Sequence, residues 1–189
     1  MPAPILSDAL EAFFPVSDSS KRALENELVA LSLPKNYLLL EAPRIADQLY
    51  FLQSGFAMGF SFIDSEKVIE TFWKQGQIIT SPTSFFEQSP SMQFVQLMEN
   101  AELLCLSYAG FQRLLASHDD LRRLLFRIIG SSFRERRSAF LDAHTLSAKQ
   151  RHEKLLKRYP GIEQVVPQEN IASWLGITPQ SLSRIKRRR

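Results

Sequence analysis

The spacing of apolar positions changes twice along the chain. Near the N-terminus it is helical: Ser7 caps a short turn that runs to Phe14 and stops at Pro15, and Ser17 or Asp18 opens a second helix carrying Leu24, Leu28 and Leu31. From 33 to about 107 it becomes a series of short apolar runs broken by turn residues. Phe56, Met58, Phe60 and Phe62 alternate with Ala57, Gly59 and Ser61; Asp64, Ser65 and Glu66 supply a turn, and the run 68–73 completes a hairpin. Further runs at 37–40, 48–52, 94–98 and 103–106 lie between Pro, Gly and Ser clusters. This texture predicts six to eight short strands in an antiparallel sandwich or roll.

At Ser107 the helical period returns. Ser107 is the expected N-cap of a helix holding Phe111, Leu114 and Leu115, and Asp119 and Asp120 open a long one. Its apolar stripe comprises Leu121, Leu124, Leu125, Ile128, Ile129, Phe133, Phe140 and Leu141, with most of its arginines off the stripe. A helix of about 24 residues is about 36 Å long, more than a small domain needs to cover its own core. Part of the stripe is therefore expected to meet another chain, with Leu121, Leu125, Ile128, Ile129 and Phe133 as contacts; packing wholly within one chain is the alternative. Ala143, His144 and Thr145 read as a hinge, and Ser147 with Gln150 as a capping box starting a helix that Pro160 and Gly161 stop. The expected fold class is α+β, an antiparallel, jelly-roll-like β-roll followed by a long helix and a C-terminal helical unit. The expected divisions are 1–118, 119–143 and 144–189.

In the last unit nearly every position has a physical reason. Ile171, Ala172 and Leu175 form the inner side of one helix, Gly176 supplies a left-handed turn, and Ile177 plugs the corner. Thr178 caps a second helix and Pro179 takes its first position, where a missing N–H costs nothing. Leu182 and Ile185 point inward. Gln168, Thr178, Gln180, Ser181, Ser183, Arg184, Lys186, Arg187 and Arg188 are left as candidate DNA contacts of a helix-turn-helix. Glutamine reads adenine and arginine reads guanine through paired bonds, so Gln180 and Arg184 are the expected base readers; Lys186, Arg187, Arg188 and Arg189 suit phosphates.

Charge sharpens this picture. The net +3 divides unevenly: residues 144–189 hold ten basic and three acidic side chains, a net +7, against thirteen and seventeen, a net −4, in the rest. A polyanion is thus expected at the C-terminal end, a solvated basic tail being the plain alternative. Composition is that of a folded soluble protein, 44% apolar and 23% charged. No long uncharged apolar run occurs, so the chain is expected to be cytoplasmic without membrane contact. Cys105 stands alone in an apolar run and is expected to be buried. His118, His144 and His152 fall outside the roll, as surface or capping residues, which speaks against a metalloenzyme of the cupin type. Neither a nucleophile motif nor a glycine-rich phosphate loop is present, so no enzyme, metal or cofactor is expected.

End to end, this order of elements resembles the Crp/Fnr superfamily of transcription regulators. Tyr50-Phe51-Leu52-Gln53-Ser54-Gly55 resembles its strand-plus-glycine signature, Trp73-Lys74-Gln75-Gly76-Gln77-Ile78 the entry to its phosphate-binding cassette, and 168–185 its helix-turn-helix. The resemblance implies a cyclic-nucleotide-binding-like sensor, a homodimer across the long helix, and recognition helices in successive major grooves. Its implied partners are duplex DNA, a second copy of the chain and RNA polymerase. Nucleotide-binding members carry Gly-Glu and later Arg-Ser or Arg-Thr in the cassette. Here the corresponding candidates are Thr80, Ser81, Ser91 and Met92, and no arginine occurs between Arg44 and Arg113. A buried phosphate would lack its cation, so cyclic AMP is not the expected effector. The β-wing that follows the recognition helix in many relatives is expected to be reduced or missing. The other reading is a dimeric effector-sensing or protein-interaction module with a vestigial helix-turn-helix.

Overall fold

The computed structural model describes residues 15–187; the turn expected over 7–14, and Arg188 and Arg189, lie outside the described residues. Its elements are α1 (Asp18–Glu27), β1 (Val29–Leu33), β2 (Leu38–Leu40), β3 (Gln48–Ser54), β4 (Phe56–Ile63), β5 (Glu66–Lys74), β6 (Ile78–Ile79), α2 (Pro82–Glu87), β7 (Phe94–Leu97) and β8 (Ala101–Ser107). The helices α3 (Tyr108–Ser117), α4 (Asp119–Thr145), α5 (Ala148–Arg158), α6 (Ile162–Val165), α7 (Gln168–Leu175) and α8 (Pro179–Arg187) follow. The strands form two antiparallel sheets, ordered β1-β8-β3-β6 and β2-β7-β4-β5. This is the expected roll.

Between the sheets lie Leu52, Ala57, Ile79, Val95, Leu97, Ala101 and Leu103. The outer face of the first sheet is covered by helices: Leu106 packs with Leu114, Leu121 and Leu124, joined by Leu24, Leu28 and Ile128. Asp120 fastens this layer. It accepts bonds from the Ser17 N–H (2.8 Å) and the Ser20 hydroxyl (2.6 Å), joining the start of α1 to the start of α4. Burial opposes ionisation of Asp120, but these bonds and that from the Leu121 N–H outweigh it and bring its pKa down to about 2.

The second sheet inverts the usual arrangement. The small side chains of β4, such as Ala57, face the roll interior, where Gly59 leaves room for Thr71 and Trp73; a Cβ there would stand 2.9 Å from each. The large ones, Phe56, Met58 and Phe60, face outward with Ile69 and Phe72, and the C-terminal helices cover them. Leu155, Tyr159, Ile162, Val166, Ile171, Ala172, Leu175 and Leu182 complete one continuous core with them. The outermost strand β5 is also sealed: the Ile69 N–H donates to the Ser173 hydroxyl (3.2 Å), which donates to the Lys67 carbonyl (3.3 Å). Tyr159 donates its buried hydroxyl to the Phe72 carbonyl at 3.0 Å.

Four expectations need correction. Leu31 does not continue the helix: the chain turns extended at Leu28, and Leu31 pairs with Leu103 in the sheet. No hinge occurs at 143–145, because nothing there breaks a helix; α4 continues, Thr145 and His144 bond back to the Leu141 and Phe140 carbonyls, and the break falls at Leu146. His152 is not a surface residue: it is 1% exposed, bonded to Glu163 at 3.2 Å. Among the proposed partner-facing residues, Leu121 and Ile128 pack within this chain's own core instead.

Candidate nucleic-acid interface

The helix-turn-helix is built by local rules. Ser147 and Gln150 form the full capping box that starts α5. Gly176 ends α7 at φ 66°, a left-handed conformation that costs glycine nothing, and its N–H returns to the Ala172 and Ser173 carbonyls. Thr178 caps α8 by accepting from the Ser181 N–H (3.2 Å), while its own hydroxyl donates to Ser181 Oγ (3.1 Å). Gln168 donates to the Pro179 carbonyl at 3.1 Å, tying the start of α7 to the start of α8. The candidates Thr178, Ser181 and Gln168 are thus engaged in holding the motif.

Leu182, fully buried, anchors the inner side of α8, and Ile185 is half-buried. On the opposite side Gln180, Arg184 and Arg187 are exposed at i, i+4 and i+7, one face of the helix, with Ser183 half-buried beside them. Lys186 is exposed but pairs with Glu163 at 3.0 Å. Burial alone would raise the Glu163 carboxyl, yet the bonds from Lys186 and His152 hold its pKa below the ordinary value.

Ion pairing divides the basic residues of the C-terminal region into two sets. Lys154 meets Asp142 at 2.7 Å, Arg158 meets Glu135, and Arg151 donates to the Leu146 (2.7 Å) and Leu175 (2.8 Å) carbonyls, closing the C-terminal end of α7. Lys149, Lys157, Arg184 and Arg187 have no ion-pair partner among the described residues. The bonds of Arg151 to Leu175, Tyr159 to Phe72 and Ser173 to Lys67 had no signal in local sequence, because they join residues 24, 87 and 106 positions apart.

Along α4, Phe126, Phe133 and Phe140 recur every seven residues and are 72%, 69% and 62% exposed. Of the expected dimer contacts, Phe133 lies on this stripe, while Leu125 and Ile129 are half-buried.

The second site is a cavity of about 300 Å³ in the roll, lined by Leu40, Glu41, Arg44, Asp47, Tyr50, Thr80 and Ser81 among others. The Thr80 hydroxyl is buried without a hydrogen-bond partner among the described residues. Burial pushes the Tyr50 phenol upward, and that group donates to Gln48 at 2.6 Å, which also accepts from the Cys105 thiol at 3.2 Å. Burial likewise raises the Cys105 thiol.

Solved structures with this architecture include the c-di-GMP-responsive global regulator CLP of Xanthomonas campestris, at a TM-score of 0.69 and 15% identity with 91% of each chain covered. FixK2 from Bradyrhizobium japonicum gives 0.70 at 14% identity over 85% of this chain and 83% of its own. The catabolite activator protein of Thermus thermophilus gives 0.59 at 16% identity over 95% and 85%. The chain has the Crp/Fnr-type fold. No family model and no curated protein sequence matches it, so the likeness is one of architecture.

In this Crp/Fnr-type roll, Thr80 and Ser81 of the expected ligand set line the cavity. Ser91 is buried and bonded to Ser81 at 3.3 Å, whereas Met92 is 82% exposed and stands away from them. The intervening helix α2, unforeseen in the sequence, starts at Pro82 and buries Ser84 and Phe85. Among the described residues Arg44 is the one cationic side chain of the lining, beside Glu41 (4.0 Å) and with Asp47 also present. No helix among the described residues is long and apolar enough to cross a membrane, and none of their His, Cys, Asp and Glu side chains cluster in threes.

Proposed function

We propose that the chain is a homodimeric transcription regulator that binds duplex DNA sequence-specifically through α8. The observation that carries this reading is the exposed row Gln180, Arg184 and Arg187, presented by a helix whose opposite side is locked by Leu182 and the Thr178 cap. Gln180 and Arg184 read bases; Arg187, with Lys149 and Lys157, meets phosphates. Lys186 serves first as the partner of Glu163.

Dimerisation runs through Phe126, Phe133 and Phe140, whose seven-residue spacing is that of a coiled-coil seam; Ile129 borders it. Three large exposed aromatics on one stripe of a 27-residue helix suit a second copy carrying the same stripe. The roll cavity does not suit a cyclic phosphate. Its lining carries two carboxylates and one guanidinium that already faces Glu41. DNA binding is therefore independent of cyclic AMP.

Selection of bound sequences from random duplex DNA should return a two-fold-related pair of half-sites. Arg184→Ala should lower specific affinity by about 1 to 3 kcal/mol and relax preference at one base of each half-site. Unchanged preference in a mobility-shift assay would remove Arg184 from base reading.

A further inference from the structure

Outside α8, a second concentration of positive charge lies on α4, which carries six arginines. Arg123, Arg127, Arg134 and Arg137, together with Gly130, fall at i, i+4, i+7, i+11 and i+14, which places them on one side of the helix. All four arginines are exposed, and none has a carboxylate partner among the described residues. The acidic groups of α4 are engaged elsewhere: Asp119 with Arg122, Asp120 with Ser17 and Ser20, Glu135 with Arg158, and Asp142 with Lys154. The ridge is therefore uncompensated, and it sits beside the Phe126, Phe133, Phe140 stripe without being part of it.

Arg123 and Arg127 at i, i+4 and Arg134 and Arg137 at i, i+3 are like-charge pairs that destabilise a free helix. The six lysine or arginine positions of α4 are all arginine, the side chain whose planar fork grips phosphate through two bonds. At mid-ridge, Gly130 leaves the backbone bare. A Cβ there would meet only the Arg134 guanidinium, at 3.7 Å. From Arg123 to Arg137 the ridge spans fourteen steps of 1.5 Å, about 21 Å. A single small anion would engage one or two of these guanidiniums; a nucleic-acid strand, with a phosphate about every 3.4 Å of helix axis, engages all four.

We propose that the Arg123, Arg127, Arg134, Arg137 ridge of α4 is a second polyanion-binding surface and that it takes the phosphodiester backbone of duplex DNA. This rests on the DNA-binding reading above and adds to it a sequence-independent grip on an element separate from the recognition helix.

The test is the salt dependence of binding to a random-sequence duplex, followed by fluorescence anisotropy across a KCl series. The full chain is compared with the quadruple variant Arg123→Gln, Arg127→Gln, Arg134→Gln, Arg137→Gln, its fold checked by circular dichroism. For each chain engaged, four lost phosphate contacts should flatten the slope of log K against log salt by about 3.6, about 150-fold in affinity over a fourfold salt range. Equal slopes in the two proteins would overturn the ridge proposal while leaving α8 as the DNA reader. A loss seen only with poly-glutamate, the DNA slope unchanged, would overturn it in favour of an acidic protein. Should the quadruple variant misfold, Gly130→Glu introduces an opposing charge at mid-ridge, and an unchanged slope there would equally overturn the proposal. A parallel Arg184→Ala, Arg187→Ala variant separates the two readings: if it leaves the slope untouched, the assignment to α8 fails and that to the ridge stands.

Discussion

Replacing Phe72 by alanine tests whether the roll and the helix-turn-helix are one folding unit. Phe72 is 1% exposed and stands at the junction of the two. Its ring lies 5.9 Å from Phe56, on its own sheet, and 5.9 and 6.1 Å from Tyr159 and Trp174, in the C-terminal helices. Phe-to-Ala changes in packed cores cost about 3 to 5 kcal/mol, and three lost ring contacts place this one in that range. With a urea slope of about 2.5 kcal/mol/M for a chain of this size, the midpoint should fall by about 1.2 to 2 M. The two tryptophans provide the assay, because Trp73 packs against the roll interior and Trp174 against the outer, shared core. In Trp174→Phe and Trp73→Phe backgrounds, each remaining tryptophan should report the same midpoint, and Phe72→Ala should lower both equally. If Trp174 keeps its midpoint while that of Trp73 drops, the two regions unfold separately and the shared-core argument is wrong.

Phe133→Asp should yield a monomer by light scattering while changing monomer stability by less than about 0.5 kcal/mol, since the ring is already exposed; a dimer that persists would move the seam off the Phe126, Phe133, Phe140 stripe. Asp120 bears on acid stability. Its pKa is about 2 in the folded chain against 3.8 ordinarily, so its contribution is present above pH 3.8 and is lost as pH falls towards 2. Asp120→Asn should therefore lower the melting temperature near neutrality and flatten its decline between pH 4 and about 2; parallel declines in the two proteins would show that the Ser17 and Ser20 bonds do not depend on the charge.

Local rules written in adjacent residues were legible in the sequence. The Ser107 and Thr178 caps, the Ser147–Gln150 box and the Gly176 turn each join residues at most four positions apart, and each is formed. Periodicity also divided β4 into a face of large and a face of small side chains. It could not say which face turned inward, because that depends on what covers the outside, and the cover is Tyr159, Ile171, Leu175 and their neighbours, some hundred positions later. The long helix shows the same limit. Its apolar stripe was visible without Phe126, which only the structure adds, and Leu121 and Ile128 could be told from Phe133 only by where the roll and α1 stand. The tail's charge was counted correctly yet over-weighted, since Arg151, Lys154, Arg158 and Lys186 are engaged within the chain.

The outward face of β4 and β5 also restricts where the chemistry of the C-terminal unit can lie. Helix α7 is covered on two sides. Ile171, Ala172 and Leu175 are buried with Leu182 of α8, while Ser173 bonds the edge of β5 and Trp174 packs on Phe72. A helix so covered has little surface left for a ligand. Helix α8 is held on one side only, through Leu182 and Ile185, and on its other side Gln180, Arg184 and Arg187 make no side-chain bond among the described residues. Gln180, Arg184 and Arg187 therefore contribute little to stability where they stand. Long, flexible side chains lose conformational freedom whenever they are ordered, so under the DNA-binding reading proposed above the contacts of this row must offset that cost. A duplex groove offers both the base edges and the phosphates that these three side chains match.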